Sequence, residues 1–189
     1  MPSAHGERLF LLDTNSYFRL ADSFHPLIAT LFGDQPCRLR VVPDLDRELR
    51  KNPRLSGKFH WASSPRYAED RRHYLRVSAG KREEIETNLD YIRETARDLE
   101  LGLSNVDLFC LAYALALGAV VVTDDGPMRL VAAEYEIPLL GTIDLLKLLY
   151  DEGRSTRQEI EDAVAVIEAR NDIPEPKEFW KKYSLYFDN

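Results

Sequence analysis

The sequence predicts an α/β protein: a three-layer α/β/α sandwich around a central parallel sheet, with a basic insertion and a helical C-terminal extension. Short apolar runs of the kind found in strands buried on both faces alternate with segments of helical periodicity. Acids stand at or just after the ends of those runs, at Asp13 and Asp125, and in the helix after the second run, at Glu48. A chain of 189 residues with 44% hydrophobic content can close one sizeable core.

Leu9-Phe10-Leu11-Leu12 reads as the first strand, stopped by Asp13-Thr14-Asn15, residues suited to capping a helix. Phe18, Leu20 and Ala21, then Leu27, Ile28, Leu31 and Phe32, read as a helical stretch broken at Pro26 and ended near Gly33. A second strand runs from about Arg38 through Val41-Val42, and Pro43 suits the first turn of a helix containing Leu45, Glu48 and Leu49. Lys51 to Tyr74, with Pro53, Gly57 and Pro65 as breakers, reads as a long loop or insertion. Ile85, Leu89, Ile92, Ala96 and Leu99 form one face of an amphipathic helix closed near Gly102. Ser104 and Asp107 match a capping box ahead of the nearly uncharged helix Leu108 to Leu117, which must be buried. Ala119 to Val122 is a β-branched strand ended by Thr123-Asp124-Asp125-Gly126. A strand near Ile137 to Leu140 and a helix from Asp144 to Tyr150 complete the alternation. In the tail, Thr156 with Glu159 opens a helix that Pro174 and Pro176 end, and Phe179, Trp180, Tyr183, Tyr186 and Phe187 read as aromatics packed on the body. The expected division is an α/β domain over 1–150, interrupted by the basic segment 51–82, and a helical extension over 151–189 packed on it.

Composition narrows the function. Two cysteines and four histidines without ligand spacing point to neither a disulfide framework nor a zinc site, and no apolar run is long enough for a signal peptide or membrane span. A cytoplasmic protein is expected. The net charge of −7 hides an uneven distribution: Arg38 to Arg82 holds 13 Lys and Arg against 5 Asp and Glu. In open α/β sheets ligands gather at the strands' carboxyl ends, and carboxylates brought together there suit a hard divalent cation. Asp13, Glu48 and Asp125 fall at that edge by position, and Asp107 joins them if the first turn of its helix abuts it. A metal-dependent phosphodiesterase is the resulting expectation.

Taken in order, Leu9 to Asn15, Val41-Val42-Pro43 with Glu48-Leu49, Ser104-Asn105-Val106-Asp107 with Leu111-Ala112 and Ala114, and Leu117-Gly118-Ala119 leading to Thr123-Asp124-Asp125 resemble the signature of the PIN-domain ribonucleases. The likeness is greatest to the VapC-type toxins of toxin–antitoxin pairs and spans roughly Leu9 to Tyr150. It implies a PIN-like sandwich, a Mg²⁺ or Mn²⁺ site and RNA as substrate. Carried over by motif, the catalytic acids are Asp13, Glu48, Asp107 and Asp125. Asp13, Asp107 and Asp125 would hold the metal and Glu48 would position or deprotonate a water. Asp124 either shares the metal or caps the turn at Gly126. Thr14, Asn15, Ser104 and Thr123 would support the carboxylates, or cap helices. An antitoxin partner and a homodimer are implied as well. The segment Lys51 to Arg82 is longer and more basic than a compact toxin needs, and Met128 stands where the family often has an aromatic residue.

An acidic site needs a basic surface nearby to hold RNA. The dense supply is Arg50, Lys51, Arg54, Lys58, Arg66, Arg71, Arg72 and Arg76, with Phe59, His60, Trp61, Tyr67 and Tyr74 interleaved. Such rings stack on unpaired bases or pin the segment to the body. Two other readings stand beside the toxin: a non-catalytic RNA-binding or scaffold protein, and a housekeeping RNA-processing nuclease. A phosphatase of the haloacid dehalogenase type would place a second acid at position 15, where this chain has Asn15.

Overall fold

The computed structural model describes residues 7–73 and 75–188. Strands β1 (Arg8–Leu12), β2 (Leu31–Phe32), β3 (Cys37–Arg40), β4 (Val120–Val122) and β5 (Leu139–Leu140) form a five-stranded mixed sheet in the order β2-β3-β1-β4-β5. Strands β3, β1, β4 and β5 are parallel, whereas β2 pairs antiparallel with β3. The expected parallel sheet is therefore present over four strands and mixed at one edge. Leu31 and Phe32, read from sequence as helical, form that edge because Gly33, at φ 82°, turns the chain back toward β3. Phe10, Leu11 and Leu12 are successive and at most 1% exposed, so both faces of the central strand are covered.

The helices are α1 (Thr14–Leu20), α2 (Asp44–Lys51), α3 (Pro53–Lys58), α4 (Pro65–Arg71), α5 (Ala79–Asp98), α6 (Asn105–Leu117), α7 (Gly126–Glu134), α8 (Thr142–Asp151), α9 (Arg157–Ala169) and α10 (Pro176–Phe187). Residues of α9 and α10, among them Ile160, Val164, Phe179 and Phe187, belong to the same hydrophobic core as the sheet. Pro176 opens α10 rather than ending α9, which stops at Ala169. Lys182 and the Tyr186 hydroxyl donate to the Asp144 carboxylate and fasten α10 to α8. Among the described residues no helix is long and apolar enough to cross a membrane.

The segment expected to be a loop is helical. The Asn52 side chain accepts from the Arg54 and Leu55 N–H groups with Pro53 in the first turn, and Pro65 stands in the first turn of α4 after Ser64. Ser64 makes no side-chain cap bond, so what the two starts share is the proline in the first turn, where a missing N–H costs nothing. Between them a 3-10 turn, His60–Ser63, follows Phe59, whose ring stacks on Phe18 at 4.6 Å. Trp61 lies edge-on to Phe18 and Tyr67. These rings, that of the half-buried Trp61 among them, pin the segment to the body; Tyr74 lies outside the described residues.

Asp70 adds a polar anchor. Only 3% exposed, its carboxylate accepts from the N–H groups of Leu27, Ile28 and Ala29 at 3.0–3.2 Å. Replacing Asp70 by Ala strips three backbone donors of their acceptor, and we expect a loss of about 3 kcal/mol. Urea unfolding should show it as a lower midpoint at an unchanged slope.

Candidate functional site

The parallel register brings the carboxyl ends of β3, β1 and β4 to one edge, where the Asp13 N–H donates to the Val122 carbonyl at 3.1 Å. Asp13 follows β1 directly and caps α1: Oδ1 accepts from the Ser16 N–H at 2.6 Å, and Oδ2 accepts the Thr123 hydroxyl. Thr123, at the end of β4, also accepts the Asp125 N–H, and Asp125 caps α7 by accepting from the Met128 N–H at 2.8 Å. Asp107 forms a reciprocal capping box with Ser104 at the start of α6. Glu48 projects from α2 and accepts the Thr14 hydroxyl at 3.0 Å. Thr14, Ser104 and Thr123 thus bond the acids, whereas Asn15 is exposed and bonds none of them among the described residues.

The four acids share one electrostatic neighbourhood centred on Asp107. Burial pushes the Asp13 carboxyl up to about 6, against the bonds from Thr123 and Ser16, and the charge of Asp107 adds to the rise. Glu48 is raised by burial and by Asp107; Asp107 is raised by burial and by Asp125. Below them lies the fully buried Cys110 thiol, raised by burial and by the charges of Asp13 and Asp107. In donor chemistry the set is all oxygen and fits a hard divalent cation. Each of Glu48, Asp107 and Asp125 uses one carboxylate oxygen in the bonds above, and the other makes no hydrogen bond among the described residues. The acids do not stand as a closed cage: among the described residues, no group of three or more His, Cys, Asp or Glu side chains is placed to hold a metal ion.

Asp124 faces elsewhere. Its carboxylate accepts from Arg19 Nη1 at 2.9 Å and from the N–H and hydroxyl of Thr142 at the start of α8. Its oxygens are committed to that cluster rather than to the turn at Gly126, and we leave Asp124 out of the acid set.

The basic residues divide. Arg71 is 3% exposed, donates to Asp46 at 2.6 Å and lies over the Tyr17 ring, so it is not the exposed RNA contact expected from sequence. The Lys58 ammonium sits 3.8 Å from Asp172, and Arg72 pairs with Glu69. Arg50, Lys51, Arg54, Arg66 and Arg76 are exposed. Beside Glu48 a cavity of about 630 Å³ runs between α2 and α6, lined by Arg47, Lys51, Asn105, Val106 and Phe109 among others. A second cavity, of about 620 Å³, shares Asp44, Arg47 and Phe109 and continues past Arg76, Arg82 and Tyr113. Sequence reading passed over Arg47, Arg82, Phe109 and Tyr113. A signal for Arg47 existed, since Asp44, Arg47, Glu48 and Lys51 fall at helical spacing on one face of α2.

No family model matches the chain, and no curated protein matches it. Among solved structures it is similar to a chain of VapBC-1 from nontypeable Haemophilus influenzae, at 19% identity and a TM-score of 0.46, over 71% of this chain and 98% of that one. It is also similar to a chain of FitAcB from Neisseria gonorrhoeae, at 15% identity and a TM-score of 0.46, over 70% of this chain and 97% of that one. Likenesses of this depth assign neither a family nor an activity. The PIN-domain assignment, and the VapC-type toxin within it, is accordingly withdrawn. No family model covers the motifs, and neither likeness supplies one.

Asp13 binds its proton more tightly in the folded than in the unfolded chain, where its value is near 3.8. The metal-free protein should therefore lose stability as pH rises from about 4 to about 6, then level off. Asp13→Asn removes this dependence and should be more stable than the parent at pH 7 by on the order of 1–3 kcal/mol, with no advantage at pH 4. Thermal melts at the two pH values check it; an Asn variant less stable at pH 7 would mean that the lost hydrogen bonds outweigh the relieved charge.

Proposed function

We propose that the chain is a metal-dependent nuclease that hydrolyses phosphodiester bonds in RNA, on a three-layer α/β/α frame. The observation that carries the proposal is the convergence of Asp13, Glu48, Asp107 and Asp125 at one sheet edge, where the charges of the other three bear on or feel that of Asp107. Clustered carboxylates repel one another, and a bound cation offsets that repulsion. Asp13, Asp107 and Asp125 are the proposed ligands of Mg²⁺ or Mn²⁺. When bound, such an ion would stabilise charge on the phosphate oxygens and make a water more acidic. Glu48 supplies the base: burial and the charge of Asp107 raise its carboxyl above the ordinary value, and the oxygen not bonded to Thr14 is left to take a proton from the attacking water. The two joined cavities, with Arg47, Lys51, Arg76 and Arg82 on their walls, form the proposed path for the RNA backbone. A partner protein, as in a toxin–antitoxin pair, and self-association belong to the same proposal.

The absence of a closed cage among the described residues favours a second reading, an RNA-binding protein without turnover. Incubating the purified chain with mixed tRNA and mRNA, with Mn²⁺ or Mg²⁺ and with an EDTA control, separates the two. The nuclease proposal expects cutting that EDTA abolishes, that Asp107→Asn removes, and that Glu48→Gln slows by about 10²-fold. RNA bound but never cut would favour the second reading; cutting at the parent rate by Asp107→Asn would remove Asp107 from the mechanism. Charge reversal at Arg47 and Lys51 together should weaken RNA binding and lower its salt slope by about two. Filter binding across a salt series reads both.

A further inference from the structure

The face of α2 turned away from Glu48 walls a third cavity, of about 340 Å³, closed by α3, the 3-10 turn and α4. Three guanidinium residues line it, Arg50, Arg71 and Arg72, with Ser56 and Ser63, against the single carboxylate of Asp46. Arg71 is the built element. Its Nε donates to Asp46 Oδ1 at 2.6 Å, its buried Nη1 lies on the side of the Tyr17 ring and hydroxyl, and its Nη2 makes no hydrogen bond among the described residues. A guanidinium that keeps N–H groups to spare attracts an anion, and the remaining charge on this wall is positive. Arg72 also pairs with Glu69, but both side chains of that pair are more than half exposed, so it competes weakly for the guanidinium.

We propose that this cavity is a binding site for a phosphate group, with Arg71 as its buried donor and Arg50 and Arg72 supplying further charge. Guanidinium forks match phosphate oxygens in pairs, and serine hydroxyls add single donors. The volume is at the small end of ligand sites, which suits one phosphate with its attached sugar rather than a long polymer segment. That phosphate comes either from the backbone of a bound RNA or from a free phosphomonoester such as a nucleotide. The RNA source rests on the function proposed above; the site itself does not. It lies on the other flank of α2 from the acids and involves none of them.

Calorimetric titration with inorganic phosphate, in EDTA, tests the site without any cleavage. Saturable binding is expected, weakened about tenfold or more in Arg50→Gln/Arg72→Gln, a double variant whose changed side chains are exposed and outside the core. Arg71→Lys, which keeps the charge and loses the fork, should weaken it as well. Absence of saturable binding, or equal affinity in the double variant, overturns the proposal. A second arm measures binding of a short RNA with and without phosphate: competition assigns the site to RNA, and independence assigns it to a free phosphomonoester. A chain that binds phosphate but cuts no RNA would retain this site and lose the nuclease reading, so the two failures are distinct.

Discussion

Much of this structure hangs on one buried carboxylate, that of Asp13, set between the ends of the two central strands. Its N–H joins Val122 across the sheet, one oxygen starts α1, and the other takes the Thr123 hydroxyl, which in turn receives the N–H of Asp125. A single side chain thereby couples β1 to β4 and orients the first turns of two helices. Water would solvate that charge better, and the upward-shifted carboxyl is the mark of the conflict. What makes the arrangement tolerable is that α1, α6 and α7 all begin at this edge, each with an acid in its cap or first turn. Helix N-termini carry partial positive charge and unpaired N–H groups, which together favour anions.

Helix α2 divides the charged surface into two unlike faces. Asp44, Arg47, Glu48 and Lys51 turn toward α6 and the acids, and Asp46, Leu49 and Arg50 turn toward the 52–72 segment. A run that looks uniformly basic in sequence is thus sorted by a 100° step per residue into an open, partly aromatic trough and a small polar chamber. Burial sorts it again. Arg40 and Arg71 lie inside the fold, where Arg40 donates to the Ile28 and Leu39 carbonyls, and neither belongs to a solvated basic patch.

Legibility followed the strength of local signals. The apolar run before Asp13, the β-branched run before Thr123, the period of α5 and the Ser104–Asp107 box each state their structure within a few residues, and all four appear in the fold. Where proline and glycine carry two meanings, reading went astray. Pro53 and Pro65 read as breaks and are helix starts, and the turn read at Gly126 is the opening of α7. The two-residue strand β2 has no periodicity to detect and exists only because β3 lies beside it. That Asp13, Asp107 and Asp125 open helices beside one sheet edge could be read from their places after strand ends and in the Ser104 box. The partners of Asp124 could not, since Arg19 and Thr142 reach it across more than a hundred residues and about twenty, respectively. Nor does sequence tell that Arg40 and Arg71, out of a charged stretch, are turned inward.

Cys110 lies one turn beyond Asp107 on α6, under the acids, and Cys37 lies at the start of β3, at the opposite end of the sheet. Both thiols are sealed in the native chain, so neither reacts with an external disulfide until its surroundings part. The protein consequently contains two internal clocks. The rate at which Cys110 is trapped times the opening of the floor beneath the carboxylates, and the rate at Cys37 times the parting of the far edge. Comparing them reports whether the molecule breathes as one unit or loosens first where its charges are crowded.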